Sequence, residues 1–284
     1  MDLRLNQKLA LVTGSTAGIG LAICSNLAGE GATVIINGRS EQRVGDAIAT
    51  IRQKHPQARL EACAGDLSTT AATEHVADQF THVDILINNL GSYEPKSFEA
   101  ISDQDWQAII ETNFMSGVRL SRTYLPKMKA INWGRIIFIS SESAINIPVE
   151  MIHYGVTKTM QLALARGLAE TTAGTGVTVN SVLAGPTRSE GVEKFVDQIA
   201  QSRGIERSTA EKEFFATVRP SSLLKRFAST DEVAALVTFI ASPLSSATNG
   251  AALRVAIPTR CHYADSQISG SGLFSEAPAI QSYS

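Results

Sequence analysis

Short, uninterrupted apolar runs alternate along the chain with stretches of helical periodicity. Leu9-Ala10-Leu11-Val12 and Ile136-Ile137-Phe138-Ile139 contain no polar position, which is the pattern of strands covered on both faces by helices. These and other short β-rich runs, several but not all of them continuously apolar, predict strands at 9–13, 33–37, 59–62, 84–87, 135–140, 177–182 and 252–255. Helical patterns fall between them, at about 18–29, 41–54, 70–80, 103–129, 153–172 and 230–241. Strand–helix alternation builds βαβ units. The chain therefore reads as an α/β protein with a Rossmann-like, doubly wound, mostly seven-stranded parallel sheet and helices on both faces.

Two stretches leave this rhythm. Between Pro186 and Arg226 the alternation stops, and charged helical patches (192–201 and 209–216) are followed by the loop signal Arg219-Pro220-Ser221-Ser222. After Val255 the chain turns small and polar, with Ser269-Gly270-Ser271-Gly272. The 284 residues would allow one or two domains at about 150 residues each. The continuous alternation instead predicts one domain over 1–257, an inserted segment near 187–226, and a tail over 258–284 that is ordered only if it docks.

Composition narrows the function. Hydrophobic residues make up 44% of the chain, and 25 Lys+Arg against 27 Asp+Glu give a net charge of −2. This balance argues against non-specific binding to nucleic acid or a membrane surface, both of which need basic patches. Cys24, Cys63 and Cys261 lie far apart, with no CxxC pair and no Cys/His spacing suited to zinc, so no metal site is expected and the cysteines read as reduced thiols. No apolar stretch approaches the roughly 18 residues of a membrane span, and Met1–Lys8 lacks a signal-peptide core. The expected location is the cytoplasm.

The first predicted strand runs into Thr13-Gly14-Ser15-Thr16-Ala17-Gly18-Ile19-Gly20, and a helix follows. Glycines at such a junction allow a tight turn and close approach of the backbone to a diphosphate, which rests on the free N–H groups and positive dipole of the helix N-terminus. An NAD site usually has an acid at the end of the second strand to bind the ribose hydroxyls. Here Ile35-Ile36-Asn37 leads to Gly38-Arg39-Ser40. A guanidinium at that place can bind a 2′-phosphate through charge-assisted hydrogen bonds, so Arg39 predicts NADP(H) in preference to NAD(H).

Further along, Tyr154 and Lys158 stand four residues apart on a predicted helix, on one face and about one turn apart. A tyrosine of ordinary pKa near 10 is a poor acid–base group at neutral pH, and a neighbouring ammonium is expected to lower that value. Ser140-Ser141 ends the preceding long apolar strand, at the sheet edge where open α/β folds bind ligands.

These motifs together resemble the single-domain, ~250-residue branch of the short-chain dehydrogenase/reductase family. The resemblance covers residues 5–255 and rests on Thr13-Gly14-x-x-x-Gly18-Ile19-Gly20, Asn88-Asn89-Leu90-Gly91, Ser141 thirteen residues before Tyr154, and Tyr154-x-x-x-Lys158. It implies that Tyr154 is the general acid in reduction and the base in oxidation. Lys158 would lower the tyrosine's pKa and bind the nicotinamide ribose, Ser141 would polarise the substrate carbonyl, and Asn113 would hold a water of the proton relay. The cofactor contacts it implies are Gly14, Ser15, Thr16, Gly18, Ile19 and Gly20 in the phosphate loop, Asp66 and Leu67 at the adenine, and Asn89 and Gly91 in the turn after the fourth strand. Gly185, Thr187 and Ser189 would follow near the carboxamide and phosphates, with Tyr154 and Lys158 completing the set. The segment 187–226 corresponds to the substrate lid. Val192, Phe195, Val196 and Ile199 are spaced to give it an apolar cover.

The chain departs from the family pattern in three places. Leu90 replaces an alanine, adding bulk beside the cofactor. Ala184-Gly185-Pro186 replaces a Pro-Gly. Arg254-Val255-Ala256-Ile257-Pro258 stands where many members have Asp-Gly-Gly, in a segment that usually builds one subunit interface. The resemblance implies a homodimer or homotetramer acting on a small-molecule carbonyl or alcohol, with a 3-oxoacyl thioester and a ketone or sugar as candidate substrates. The alternative from another class is a dinucleotide-binding regulator or scaffold without turnover. Glu142 and Ser143, just past Ser141, either line the pocket or sit on a loop; His153 is expected to pack or face solvent; and His55, His75, His82 and His262 have no chemical company.

Overall fold

A computed structural model of the chain describes residues 1–256, except the side chains of residues 190, 191, 194 and 195. Strand β1 (Leu9–Val12), helix α1 (Gly18–Gly29), β2 (Thr33–Gly38), α2 (Glu41–Lys54), β3 (Arg59–Ala64), α3 (Thr70–Gln79) and β4 (Ile85–Asn88) form the first half. Helices α4 (Asp103–Ile110) and α5 (Ser116–Ala130), β5 (Gly134–Ser141), α6 (Ile152–Glu170) and β6 (Val177–Ala184) follow. Then come α7 (Glu190–Arg203), α8 (Arg207–Thr217), α9 (Thr230–Ala241) and β7 (Ala252–Val255). The expected tail at 258–284, with Cys261 and His262, lies outside the described residues.

All seven strands pair in parallel, in the order β3-β2-β1-β4-β5-β6-β7. The order reverses between β1 and β4, which opens a crevice at the carboxyl ends of those strands. Side chains alternate between the two faces, as strand geometry requires. Ala10, Val12, Val34, Ile36, Ile85 and Ile87 pack with α1, α2 and α9 through Ile23, Leu27, Val44 and Val237. On the other face Leu11, Ile35, Leu86, Ile136 and Phe138 pack with α3, α5 and α6 through Val76, Leu120, Tyr124 and Ala165. The apolar runs of β1, β2, β4 and β5 are continuous because these strands feed both cores, whereas the edge strands β3 and β7 are largely exposed.

The helix expected over 103–129 is in fact two helices joined by a π-helical turn, Glu111–Met115. In that turn the Ser116 N–H donates to the Glu111 carbonyl. One extra residue is thereby inserted into the hydrogen-bond ladder, a local distortion that often marks functional sites. Periodicity cannot reveal such an insertion, because the apolar stripe resumes on the same side after it.

The inserted segment also differs from expectation. Val196 and Ala200 of α7 are buried against Ala210 and Phe215 of α8 and against Phe227, with Val192, Ile199 and Phe214 packed around them. Phe214 stacks on Phe227 at 5.1 Å between ring centroids. The apolar stripe of α7 is therefore used in a small core of its own rather than as a cover over the site. Phe195, also expected in that stripe, has no described side chain.

Candidate active site

The phosphate loop is built by steric demand. Gly14 adopts φ +59°, and a Cβ there would come within 3.1 Å of the Leu90 Cα. A Cβ on Gly20 would meet the Asn89 side chain at 2.6 Å and the Gly14 carbonyl at 2.7 Å. Gly18 is also left-handed, at φ +56°, and faces Ser189. Asn89 ties the loop down by donating from Nδ2 to the Thr13 and Gly14 carbonyls at 3.0 and 2.9 Å. The Thr13 hydroxyl accepts from the Asn89 and Leu90 N–H groups, both at 2.9 Å. The buried Ser15 hydroxyl is turned inward, donating to the Val12 carbonyl and accepting from the Asn37 N–H. The Ser15 N–H is used as well, donating to the Asn37 carbonyl at 2.8 Å, so the cofactor contact expected of Ser15 is not offered by either its hydroxyl or its N–H.

Helix α1 starts at Ala17 without a side-chain cap and has no acid in its first turn, whereas Ser40, Thr69, Ser102 and Ser229 cap α2, α3, α4 and α9. Its first N–H groups are left for an incoming anion. Leu90 packs on Gly14, so its bulk touches the loop. Arg39 is exposed at the end of β2, and Gly38 beside it lies against Thr16. Asp66 closes a turn by accepting from the Ser68 N–H, and Leu67 is buried. Gly185 lies against the Ala256 carbonyl. The Thr187 hydroxyl donates to the Gly185 carbonyl, and Ser189 caps α7. Ile19 packs partly buried against the core.

One residue in this region escaped the sequence reading. Asn37, fully buried, accepts from the Gly14 N–H at 3.0 Å and donates to the Cys63 and Gly65 carbonyls. It joins β2, β3 and the phosphate loop. A polar residue inside an otherwise apolar strand was the available signal.

Ser141, Tyr154, Lys158 and Asn113 converge at the carboxyl end of β5. The Ser141 hydroxyl accepts from the Ser143 N–H at 3.1 Å, which leaves its own proton to donate elsewhere. It also lies close enough to the Tyr154 hydroxyl to favour its ionised form. Lys158 is buried and donates from Nζ to the Ile139 carbonyl at 2.9 Å. Gly91 lies against both Lys158 and Asn113: a Cβ there would stand 3.4 Å from Nζ and 3.5 Å from Asn113 Oδ1. Asn113 is fixed in the π-turn by its side chain, which accepts from the Ser92 N–H at 2.7 Å and donates to the Ser92 carbonyl and the Thr157 hydroxyl.

Burial dominates the electrostatics. It pushes the Tyr154 hydroxyl up to about 12, opposed by the Ser141 hydroxyl and reinforced by Tyr93 and Glu142. It pulls Lys158 down to about 8. Burial thus outweighs the lowering of Tyr154 expected from its lysine: Lys158 Nζ lies 5.6 Å from the tyrosine ring centroid and is turned to the Ile139 carbonyl.

Gln161 was also missed. It is buried three residues beyond Lys158, donates from Nε2 to the Asn113 carbonyl at 2.6 Å, and accepts from Lys158 at 3.4 Å. Its place one helical turn past Lys158, on the same face, was the readable signal. His153 packs inside, edge-on to Trp106 at 5.9 Å between ring centroids, and burial lowers its pKa. Glu142 is buried and lines a cavity with Glu150 and Arg219, and Ser143 beside it is buried. Among the described residues there is no His/Cys/Asp/Glu group able to hold a metal, and no helix long and apolar enough to cross a membrane. Cys24 and Cys63 are buried free thiols.

A family model described as short chain dehydrogenase matches residues 8–200. The uncharacterized oxidoreductase YvaG of Bacillus subtilis (strain 168) is 48% identical over 254 residues, spanning 89% of this chain and 96% of that protein. The 3-oxoacyl-[acyl-carrier-protein] reductase FabG of Aquifex aeolicus (strain VF5) is 31% identical, spanning 90% of this chain and 98% of that one. Among solved structures, L-sorbose reductase from Gluconobacter frateurii, complexed with NADPH and L-sorbose, superposes with a TM-score of 0.83 at 29% identity, covering 91% of this chain and 98% of that chain.

Proposed function

The chain belongs to the short chain dehydrogenase family, and from that premise we propose that it is an NADP(H)-dependent oxidoreductase interconverting a ketone and a secondary alcohol. The observation that carries this reading is the convergence of a pre-oriented Ser141 hydroxyl, Tyr154 and Lys158 at the carboxyl end of β5. A pure sensor of dinucleotide would have no use for an acid–base pair there.

The cofactor fits the cradle. The close approaches at Gly14 and Gly20 and the uncapped, acid-free start of α1 suit a diphosphate. Gly14, Thr16, Gly18, Ile19 and Gly20 would hold it there, with Asp66 and Leu67 toward the adenine and Asn89, Gly91, Gly185, Thr187 and Ser189 along the groove. Arg39 supports the preference for a 2′-phosphate, as does the NADPH bound to the sorbose reductase. When bound, the nicotinamide supplies or accepts the hydride.

The chain's own residues do the rest. In reduction, the Ser141 hydroxyl donates to the substrate carbonyl and stabilises the charge developing on that oxygen. Tyr154 gives its phenolic proton to the same oxygen, and in oxidation the phenolate takes it back. Lys158 holds positive charge near the phenolate. Asn113, through the π-turn, holds the rear of the site and a water of the relay. Segment 187–226 acts as a lid that excludes water. The same reading makes the protein a cytoplasmic homodimer or homotetramer with a small-molecule substrate. FabG supports a 3-oxoacyl thioester and the sorbose reductase a ketose. Consumption of NADPH with a panel of both, by the wild type and by Tyr154→Phe, tests the assignment.

A further inference from the structure

Next to Ser141 stands a buried charge that the reaction chemistry leaves unused. Glu142 is 6% exposed. One of its oxygens accepts from Arg219 Nε at 2.5 Å. Among the described residues its other oxygen accepts no hydrogen bond, and Arg219 Nη2 donates to none, since Nη1 is used on the Val218 carbonyl. The pair links the loop after β5 to the end of the inserted segment across a cavity of about 220 Å³, whose lining is completed by Asn146, Glu150 and Ser221 and by the apolar Ile147, Pro148 and Val218. Glu142 lies near enough to Tyr154 to raise the phenol's pKa. Glu142 follows Ser141 directly in the chain, and Ile147, which also lines the cavity, lies against Gly155 beside Tyr154, so a carbonyl compound held between Ser141 and Tyr154 would extend toward this pair.

We propose that Glu142 and Arg219 form a substrate-selecting pair that recognises a hydroxyl adjacent to the reacting carbonyl, making the substrate a small, neutral, hydroxylated ketone or its polyol. This rests on the oxidoreductase reading above. The pair is neutral as a whole and presents an open carboxylate oxygen beside an open guanidinium N–H, so one hydroxyl can donate to the first and accept from the second. A carboxylate substrate would meet Glu142 and Glu150 on the same wall. A bare alkyl or acyl chain could pack on Ile147, Pro148 and Val218, but it would desolvate the pair and return no hydrogen bond, a costly exchange for a buried charge. The cavity is small for a long acyl arm, and the apolar residues of α7 that would have favoured one are packed against α8 and Phe227.

The test compares hydroxyacetone with butanone, which replaces the hydroxyl by a methyl of similar size, using purified wild-type protein and NADPH. Acetoacetate and a 3-oxobutanoyl thioester complete the panel. The quantity read is the ratio of kcat/KM for hydroxyacetone to that for butanone. Intrinsic reactivity and any general effect of Glu142 on Tyr154 cancel when this ratio is compared between variants. The ratio is expected to fall about tenfold in Glu142→Gln, which removes the charge assistance, and to fall also in Arg219→Lys, a mild change on a partly exposed side chain. An unchanged ratio in both variants, or faster turnover of butanone, acetoacetate or the thioester than of hydroxyacetone, overturns the proposal. If no carbonyl consumes NADPH, it is the oxidoreductase reading that has failed, and saturation-transfer NMR with erythritol and no cofactor decides the site by itself. Signals with the wild type that vanish in Glu142→Gln uphold the pair as a polyol site, and equal or absent signals in both overturn it.

Discussion

The Gln161 side-chain amide donates to the Asn113 main-chain carbonyl at 2.6 Å while its oxygen accepts from Lys158 at 3.4 Å. One buried side chain thus spans the π-turn that carries Asn113 and the helix that carries Lys158. At the π-turn a glutamine supplies both a donor to that carbonyl and an acceptor for the ammonium.

Gln161→Leu keeps the size of the side chain and removes both bonds, leaving a buried carbonyl unsatisfied. We expect a loss of about 1–3 kcal/mol of stability, read by denaturant unfolding, and a fall in kcat larger than any rise in KM, because Lys158 loses a fixed neighbour. Unchanged stability and kcat would show that water replaces the amide without cost.

Arg39 is exposed, and among the described residues it makes no hydrogen bond or ion pair. Arg39→Ala is therefore expected to leave stability within about 0.5 kcal/mol. It should weaken NADPH binding by roughly ten- to a hundredfold, the range of one or two charge-assisted bonds, and NADH binding hardly at all. Titration calorimetry with both nucleotides checks this, and equal losses would remove the 2′-phosphate role.

Lys158 carries a consequence for stability against pH. Burial lowers its pKa from 10.5 to about 8, so between those values the unfolded chain binds the proton more readily than the folded one. On this account, stability of the ligand-free protein rises with pH across that window and the penalty is fully present below it. Lys158→Met is expected to be more stable than wild type at pH 7, with the difference shrinking toward pH 10.5. Thermal unfolding at the two pH values reads the sign, and a gap that widens with pH contradicts it.

The fold was legible because the central strands β1, β2, β4 and β5 feed two cores and so carry apolar runs, and because Gly14, Gly18 and Gly20 stand at the first strand–helix junction. The proximity of the candidate site residues was legible because Tyr154 and Lys158 share a helix face and Ser141 ends a strand. What was hidden depended on tertiary contacts. The π-turn at Asn113 inserts one residue without disturbing the apolar stripe on either side. The stripe of α7 turns to α8 and Phe227 rather than to the site, and helical spacing does not say which surface an apolar face meets. The balance of pKa values at Tyr154 and Lys158 depends on burial, which a spacing of four residues does not specify. Glu142 and Arg219 lie far apart in sequence and meet only because the end of the inserted segment folds back over the loop after β5.

The central claim is that Tyr154 donates the proton in an NADPH-dependent carbonyl reduction. Its most direct measurement is the rate of NADPH consumption by wild type and Tyr154→Phe with the same carbonyl substrate, alongside NADPH affinity for each. The account predicts turnover by the wild type, a loss of about 10²–10⁴-fold in kcat for the variant, and NADPH affinity unchanged within a few-fold. Tight NADPH binding without turnover of any carbonyl by the wild type, or equal rates for the two proteins, would contradict it.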